Sequence, residues 1–587
     1  MNKNIQKIFL LGLMVSSTAV FSQIKEEQLI LDRKREPEVR KIEKKKTSVE
    51  TVKNYPPEAK SADPVNYNIT DVPAVSDFKT STIQGSDISP RFDSEFQKNY
   101  LRFGMGNFGK VLGDANISTM LENKMEIGGD VHFLSTTGLK NEFPWDSNAS
   151  DMTLGAFLNN FGEKGKLNLN AEFGLQDYNY YGIYALQPEA GIDLQQKVTQ
   201  VKVNGFYDFY SNEILNDIRV KTNFLTDHFD AKESRGELAM NLSKHGWELN
   251  DFTVNGDLGL GFAAQKTDFS LLDANSSSYF DGKISPKITF FKGKSYLMIG
   301  SDFDFLTGNY SNLSTGEQKM DRTYWFPRAE FLYDYTDALK FFAGVDGGLN
   351  LNSYGNMLAE NPYLVSDQLL KPTETKYHLY AGLKGDIDQN VKYSVSTGWA
   401  KVNDIMFFSA NSIFDNFLTL NRSAYNYANT FSAQYADGSV FDITGSIQYF
   451  PLENLALDAN LDFRQYNIED KWDIYNKPVV RADIGAKYSL LDKKLNLGFK
   501  GYFVSQRITN SFEITDAGTV PATYSITEDT ADKLPGYADF NLSAEYKVHK
   551  NFSIFALGNN LLNSSYETFK GYKVLGAQIV GGVKVTF

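Results

Sequence analysis

The sequence predicts an all-β fold, a transmembrane antiparallel β-barrel of about 22 strands. Three observations lead to it. Apolar side chains recur at every second position in segments of about ten residues, turn-forming residues separate these segments, and short turns alternate with long loops. No internal apolar run reaches the ~18 residues that a membrane helix needs, although aromatic residues make up 14% of the 587-residue chain.

The first 22 residues have the layout of a secretory signal peptide. Lys3 and Lys7 precede an apolar stretch at residues 8–15, and small residues lead to Ser22. The apolar stretch is shorter than a membrane anchor requires. We therefore expect the chain to be exported from the cytoplasm.

Residues 23–96 form a second unit, which is charged at first and then rich in Pro, Ser, Asp and Thr. We expect a partly disordered periplasmic arm, followed by an irregular extended piece that could enter the barrel lumen. The basic residues of the arm could bind a periplasmic partner or a cell-wall polymer, and a solvated tail is the simpler interpretation.

Residues 97–587 carry the alternating pattern of the barrel. It is clear where Leu167, Leu169, Ala171, Phe173 and Leu175 alternate with polar or Gly residues, and similar segments begin at Leu455 and near Leu297, Leu339 and Leu495. In a barrel, the polar face lines the lumen. The charged residues expected there give it an acidic bias that would favour cations in an open pore: Glu172, Asp302, Asp304, Asp346, Asp458, Asp462, Arg464 and Lys500.

The connections between strands are of two kinds. Short turns are predicted at residues 122–124, 163–165, 211–213, 244–246, 292–294, 336–338, 388–390, 451–454, 491–493 and 548–550. Longer stretches rich in Tyr, Asn, Ser and Asp lie between them, at residues 177–194, 354–373, 403–423 and 509–533. In bacterial outer-membrane barrels the short turns face the periplasm. Counting these turns, with a first strand at residues 99–108 and a last at 576–587, gives about 22 strands.

The chain ends inside a strand pattern. One face of the last segment carries Ala577, Ile579, Gly581, Val583, Val585 and Phe587. A closed barrel pairs its last strand with its first and so leaves no free backbone edge in the hydrocarbon. We expect Phe587 to lie in the periplasmic aromatic girdle and to be the barrel-closing C-terminal signal.

The end of the chain resembles the closing hairpin of TonB-dependent receptors. That hairpin commonly carries an Asn-Leu-aromatic-Asn/Asp sequence, then Tyr, Gly-Tyr and Gly-Arg, and ends on Phe. The matching positions here are Asn560, Leu561, Leu562, Asn563, Tyr566, Gly571, Tyr572, Gly576 and Phe587, and Ala577 stands where the family usually has Arg. The resemblance implies a 22-stranded barrel over residues 97–587 and transport of a solute across the outer membrane.

The resemblance does not extend to the N-terminal plug domain of those receptors. Residues 23–96 are too few for it, so we expect a barrel without a plug. The N-terminal segment with inward-folded loops, a partner protein, or nothing could then fill the lumen. Whether TonB energy is used stays open.

The sequence shows no constellation of residues that predicts catalysis or metal binding. The five histidines are far apart: His132, His228, His245, His378 and His549. Asp227 and His228 are the nearest candidate for an acid–base pair. The simpler interpretation is that these two residues are adjacent by chance. We expect no enzyme and no catalytic, cofactor or metal site, and the net charge of −13 argues against nucleic-acid binding.

One tyrosine-rich stretch is a candidate for ligand contact. Tyr178, Tyr180, Tyr181 and Tyr184 could bind sugars, peptides or lipid headgroups, or could belong to the external aromatic girdle. Residues 361–373 could likewise cover the pore or dock a partner.

Two classes of function fit this outer-membrane protein. It could transport a solute, or it could be a non-transporting accessory or scaffold subunit of an assembly for protein insertion, secretion or nutrient uptake. The expected partners are outer-membrane lipids, the barrel-insertion machinery during biogenesis, and envelope proteins that fill or cap the lumen.

Overall fold

The computed structural model describes residues 99–587, except 122–123, 141, 185–190, 211–213, 315, 413–423, 470–472 and 517–523. The predicted signal peptide and the predicted segment 23–96 lie outside the described residues. Their boundaries therefore remain predictions.

The described residues are almost entirely strands. Two short helices, α1 (Tyr354–Glu360) and α2 (Ala424–Tyr427), lie in loops. No helix in this part of the chain is long and apolar enough to cross a membrane. The strands are β1 (Tyr100–Gly106), β2 (Val111–Leu121), β3 (Met125–Thr136), β4 (Ala149–Phe161), β5 (Gly165–Asn179), β6 (Gln195–Phe209), β7 (Leu215–Asp227), β8 (Lys232–Leu249), β9 (Phe252–Asp268), β10 (Ser276–Lys292), β11 (Ser295–Asn312), β12 (Gly316–Lys319), β13 (Arg322–Thr336), β14 (Leu339–Asn350), β15 (Thr373–Ile387), β16 (Val391–Ala410), β17 (Phe431–Leu452), β18 (Leu455–Ile468), β19 (Val480–Leu490), β20 (Leu495–Val504), β21 (Arg507–Asp516), β22 (Tyr524–Leu534), β23 (Tyr537–His549), β24 (Phe552–Asn559), β25 (Glu567–Phe569), β26 (Tyr572–Lys573) and β27 (Gln578–Thr586).

Twenty-two of these strands form one closed antiparallel ring. Strand β27 pairs with β1, with Thr586 opposite Tyr100 and Val580 opposite Gly106, so the ring has no free edge. Strand β12 extends the sheet beside the end of β11, while β21–β22 and β25–β26 are separate hairpins within loops. The predicted fold class and strand number are confirmed.

The alternating pattern separates a lipid face from a luminal face, as predicted. Leu169 and Phe173 on β5 are 42% and 37% exposed, and on β27 Ile579, Val583 and Val585 face outward in the same way. Such side chains form an apolar belt around the ring, which is stable only when lipid covers it. The barrel therefore lies in the bacterial outer membrane.

One predicted short turn is wrong. Strand β8 continues through residues 244–246 to Leu249, and the turn to β9 is made by Asn250 and Asp251. Residues 244–246 lie at a β-bulge, where the register shifts between Lys244 and Trp247, and Gly246 has φ +80°. Both a tight turn and a bulge use Gly at positive φ, so the local sequence does not separate them.

Two predicted loops contain more strand than expected. Strand β16 includes residues 403–410, and most of 509–533 forms the hairpin β21–β22. The long connections nevertheless lie at one end of the barrel and the short turns at the other, because consecutive antiparallel strands alternate in direction. Phe587 is 57% exposed and its N–H bonds to the Asn99 carbonyl at 3.1 Å, at the short-turn end.

Candidate functional site

At the long-loop end of the barrel, several loops pack into one buried cluster. We call this cluster the cap and define it as residues 180–184, 354–370, 427–431 and 567–575. Its core consists of side chains from loops that are far apart in sequence, such as Tyr180, Leu364, Phe431 and Leu575, all 2% exposed or less. The cap is the most extensive buried apolar cluster among the described residues.

The origin of the cap loops shows that they cross the barrel mouth. Three of them follow the fifth, thirteenth and twenty-first strands of the 22-strand ring, so about a third of the circumference separates each from the next. A ring of this size is roughly 40 Å across, given the usual strand spacing and tilt, and these three points are roughly 35 Å apart. Contact between the loops therefore requires each to reach towards the barrel axis.

That contact is made by three tyrosines. Tyr363 stacks on Tyr572 with ring centroids 3.4 Å apart, and Tyr181 meets both rings edge-on at 5.8 and 5.1 Å. The Tyr363 hydroxyl donates to the Tyr181 hydroxyl at 3.2 Å. Tyr181 in turn donates to the Lys573 carbonyl at 2.8 Å, and Tyr572 to the Asn429 carbonyl at 2.5 Å. The edge-on pairs that Tyr181 makes are of the kind that adds to the stability that burial provides.

Burial makes these phenols harder to ionise than free tyrosine, which is already neutral at physiological pH. It raises the pKa of Tyr363 to about 12, and it raises the pKa of Tyr181 and of Tyr572 well above the ordinary value of 10.0. The three-tyrosine contact is therefore uncharged across the physiological pH range.

Helix α1 is fixed to the barrel wall through its first turn. The Ser353 hydroxyl caps it by accepting from the Asn356 N–H at 3.2 Å. The Glu233 carboxylate, at the start of β8, accepts from the N–H groups of Tyr354 and Gly355 at 2.6 and 3.1 Å. One carboxylate of the wall thus satisfies two backbone donors that the helix leaves unpaired.

Asp227, at the end of β7, is a second anchor. Its carboxylate accepts from the hydroxyls of Ser366 at 2.5 Å and Tyr354 at 2.8 Å, and from the Gln196 side chain at 3.1 Å. The neighbouring His228 faces Asp193 instead, at 4.0 Å. Asp227 and His228 therefore do not form the acid–base pair that the sequence left as a candidate.

Asp367 and Gln368 fix the far end of the same loop. Asp367 accepts from the N–H of Asp273 at 2.8 Å and from the N–H and side chain of Asn275 at 2.9 and 2.8 Å. Gln368 bonds to the backbone of Phe431 and, as an acceptor, to that of Ala433. Burial raises the pKa of Asp367, and these hydrogen bonds oppose the shift in part.

Of the four tyrosines predicted as ligand or girdle residues, Tyr180, Tyr181 and Tyr184 lie in the cap, and Tyr178, at the end of β5, packs against it. The hydroxyls of Tyr178 and Tyr180 donate to the carbonyls of Pro362 and Leu364, each at 2.7 Å, and Tyr184 donates to the Asn411 carbonyl. Tyr180 is fully buried. The hydroxyls of these four tyrosines thus donate to backbone carbonyls of other loops.

The family-like closing motif forms the turn after β24. Asn560 and Asn563 have φ +46° and +50°, a conformation that Asn tolerates better than most residues. The Asn560 side chain donates to the carbonyls of Ser564 and Leu575, both at 2.9 Å, and Asn563 accepts from the Ala577 N–H at 2.8 Å. The Leu561 N–H bonds to the Phe540 carbonyl at 3.0 Å.

The rest of the motif leads this turn into the cap. Tyr566 stacks on Tyr537 at 4.7 Å. Gly571 has φ +87°, and a Cβ there would lie 2.6 Å from the Asn429 side chain. Gly576 is equally restricted, because a Cβ would lie 2.6 Å from the Asn563 side-chain oxygen. The motif thus positions Tyr572 for its contact with the other two tyrosines.

Most of the charged residues predicted to face the lumen have partners on the barrel wall. Arg328 donates to Asp302 at 2.6 Å, Arg464 donates to Asp462 at 2.9 Å, and Lys500 lies 3.6 Å from Asp483. The wall is therefore a network of neighbouring opposite charges.

The barrel fold is shared with solved receptor structures. The ferric-catecholate import receptor Fiu from E. coli K12 matches with a TM-score of 0.60 and 12% identity, over 84% of this chain and 82% of that one. The siderophore receptor PiuA from Acinetobacter baumannii gives 0.58 and 10% identity over 84% and 82%, and the copper transporter OprC 0.57 and 14% over 83% and 80%. The sequence itself matches no protein-family profile and no curated protein.

These matches concern the fold. They show that the chain has a 22-stranded barrel of the same fold as these solved structures. The 22-stranded barrel that the resemblance of the closing hairpin implied is therefore present in the structure.

Proposed function

We propose that this chain is an outer-membrane transport protein whose lumen is closed at the outer end by the cap and opens when the cap loops separate. One observation carries the proposal: loops from three points around the ring meet at Tyr181, Tyr363 and Tyr572. A barrel of this width would leak small solutes without such an obstruction. The names of the similar structures, which are receptors and a transporter, support a transport role and no enzymatic one.

The proposal assigns roles to the predicted segments. Residues 1–22 direct export, residues 97–587 form the barrel, and residues 23–96 lie in the periplasm or the lumen in place of a plug domain. With the cap closing the outer end, the N-terminal segment would act at the periplasmic end.

Single-channel conductance in planar bilayers tests the proposal. A variant in which a Gly-Ser linker of equal length replaces residues 354–366 keeps the chain connected and removes the cap contacts. We expect low conductance for the wild type and a several-fold increase for this variant. A similar replacement of residues 313–319, in a loop outside the cap, is the matched control and should leave conductance low.

Deletion of residues 24–95 distinguishes obstruction of the lumen by the N-terminal segment from obstruction by the cap. If this deletion opens the channel and the cap variant does not, the N-terminal segment closes the lumen and the cap does not. Unchanged conductance in both single variants and in their combination would contradict a transport pore.

The second candidate function is an accessory subunit of an outer-membrane assembly. The many hydrogen bonds at Asp227, Glu233 and Asp367 favour this second function, because a cap held by so many bonds suits a barrel that stays closed. Affinity purification in mild detergent followed by mass spectrometry distinguishes the two functions. Stoichiometric envelope partners would support the subunit, and recovery of the barrel alone would support the transporter.

A further inference from the structure

The lipid face of the barrel has a groove near the long-loop end, across strands β7 to β11. Its volume is about 540 Å³, which lies in the range of small-ligand pockets, roughly 300–1,000 Å³. Phe224 on β7 and Phe280 on β10 line it and are 51% and 47% exposed, and Thr307 and Asn309 on β11 line it beyond Phe280. Three strand spacings and a stagger of two residues place the two phenylalanine backbones roughly 16 Å apart.

The floor of the groove is made by small residues. Gly236 on β8 and Ala264 on β9 are paired in register, in a row that runs from Thr222 on β7 to Phe280 on β10, and Phe224 lies one row above Thr222. A Cβ added at Gly236 would meet no atom within 4 Å, and the same holds for Gly282 on β10. No side chain of the described residues therefore fills the space above the floor. Elsewhere in the lipid-facing belt, large apolar side chains occupy this level.

The groove joins an apolar row of side chains to a polar one. Directly below the floor lie Val220, Leu238 and Phe262, and directly above it lie Phe224, Ser234, Lys266 and Ser278, which are polar except for Phe224. Lys232 follows two residues above Ser234 on the same face. The groove thus spans the boundary at which lipid chains end and headgroups begin, on the side that faces away from the periplasm.

We propose that this groove binds an outer-leaflet glycolipid of the lipopolysaccharide type, with one acyl chain between Phe224 and Phe280 and its phosphate against Lys266 and Lys232. The apolar floor fits a chain, and the two ammonium groups with the neighbouring hydroxyls fit an anionic, hydroxyl-rich headgroup. Lys266 also lies 2.9 Å from Asp268, so the phosphate would compete with that carboxylate.

Native mass spectrometry of the full-length protein tests this proposal. After delipidation, purified lipopolysaccharide, phosphatidylglycerol and inorganic phosphate are each added back. We expect lipopolysaccharide to bind at least tenfold more tightly than the other two. The double variant Gly236→Leu/Ala264→Leu, which fills the groove, should lose at least tenfold in affinity, and Lys266→Gln several-fold.

A matched variant controls for added bulk on the lipid face. Ala544→Leu makes the same kind of change on β23, which lies almost opposite the groove in the ring, and should bind lipopolysaccharide like the wild type. Heat-modifiable migration confirms that each variant is folded. Equal affinity of the wild type and the double variant, equal binding of phosphatidylglycerol, or binding of free phosphate alone would overturn the proposal.

Discussion

Individual tyrosines join loops from three sides of this barrel because each offers a large apolar ring and one hydroxyl. Rings from three loops share a single buried contact. The hydroxyls of Tyr181 and Tyr572 donate to backbone carbonyls, and that of Tyr363 donates to the Tyr181 hydroxyl. Phe at the same positions would supply the packing without those bonds.

Tyr572 gives the first prediction at this scale. Tyr572→Ala removes the stack on Tyr363 and the bond to the Asn429 carbonyl, at a cost of about 3 kcal/mol to cap closure. Hydrogen–deuterium exchange at residues 354–366 should then accelerate about 100-fold. Tyr335→Ala is the control, since Tyr335 is 64% exposed at the short-turn end, and it should leave this exchange unchanged. Unaltered exchange in Tyr572→Ala would show that the cap does not depend on the three-tyrosine contact.

Asp367 gives a pH dependence. Burial raises its pKa in the closed cap, so the closed state binds more protons than the open state at pH values above the ordinary 3.8. Asp367 therefore stabilises the closed cap fully below pH 3.8. This stabilisation declines as the pH rises through the raised pKa of Asp367. Single-channel recordings between pH 4 and 8 should show more frequent opening with rising pH, and Asp367→Asn should reduce this trend. A trend of the opposite sign would contradict the assignment.

At the scale of elements, helix α1 illustrates why a short helix persists in a loop. Seven residues are too few for an isolated helix to be stable in water. Ser353 and Glu233 satisfy its first N–H groups, and Tyr354 and Met357 are fully buried in the cap. Tertiary contacts therefore hold the helix.

The Glu233 carboxylate provides the corresponding test. Glu233→Ala removes the acceptor for the N–H groups of Tyr354 and Gly355 and costs about 2–3 kcal/mol. Exchange across residues 354–360 should rise, while the barrel strands stay protected. Glu172→Ala removes a carboxylate paired with Lys202 on the luminal wall and is the matched control. Equal exchange in both variants would show that α1 does not need its wall anchor.

At the scale of the whole molecule, closure of the ring decides stability. Strands β1 and β27 come from opposite ends of the barrel sequence, and their pairing removes the only pair of edges that the strand order would leave within the described residues. Gly582 permits the close approach, because a Cβ there would lie 2.1 Å from the Phe103 carbonyl oxygen.

Two adjacent glycines make a matched pair for testing closure. Gly582→Ala forces a backbone clash at the β1–β27 seam and should cost about 3 kcal/mol or more. Gly581→Ala points outward, where the nearest atom to a Cβ is 3.9 Å away, and should be tolerated. Heat-modifiable migration of outer-membrane fractions should show little folded barrel for Gly582→Ala and normal amounts for Gly581→Ala. Normal folding of both variants would indicate that the pairing of β1 with β27 can accommodate a Cβ at position 582.

Local periodicity explains which features were predictable. The alternation from Leu167 to Leu175, the turn residues and the outward face of β27 each follow from neighbouring residues, since strands repeat every two residues and turns need particular φ values. Where one residue type serves two local structures, as Gly246 does, the prediction was wrong. The tyrosines at 178–184 and the segment 361–373, which contains Tyr363 and Asp367, were recognised from the local sequence, whereas the anchoring roles of Asp227 and Glu233 had no local signal.

The sequence by itself determined the class of fold, the approximate strand number, the lipid-facing side of each strand and the place where the ring closes, because all of these depend on spacing along the chain. Only the tertiary structure decided that the outer loops form a cap. Tyr181 bonds to a residue 182 positions away and to another 392 positions away. Such neighbours exist only after the ring has closed and has brought loops from three sides over one opening.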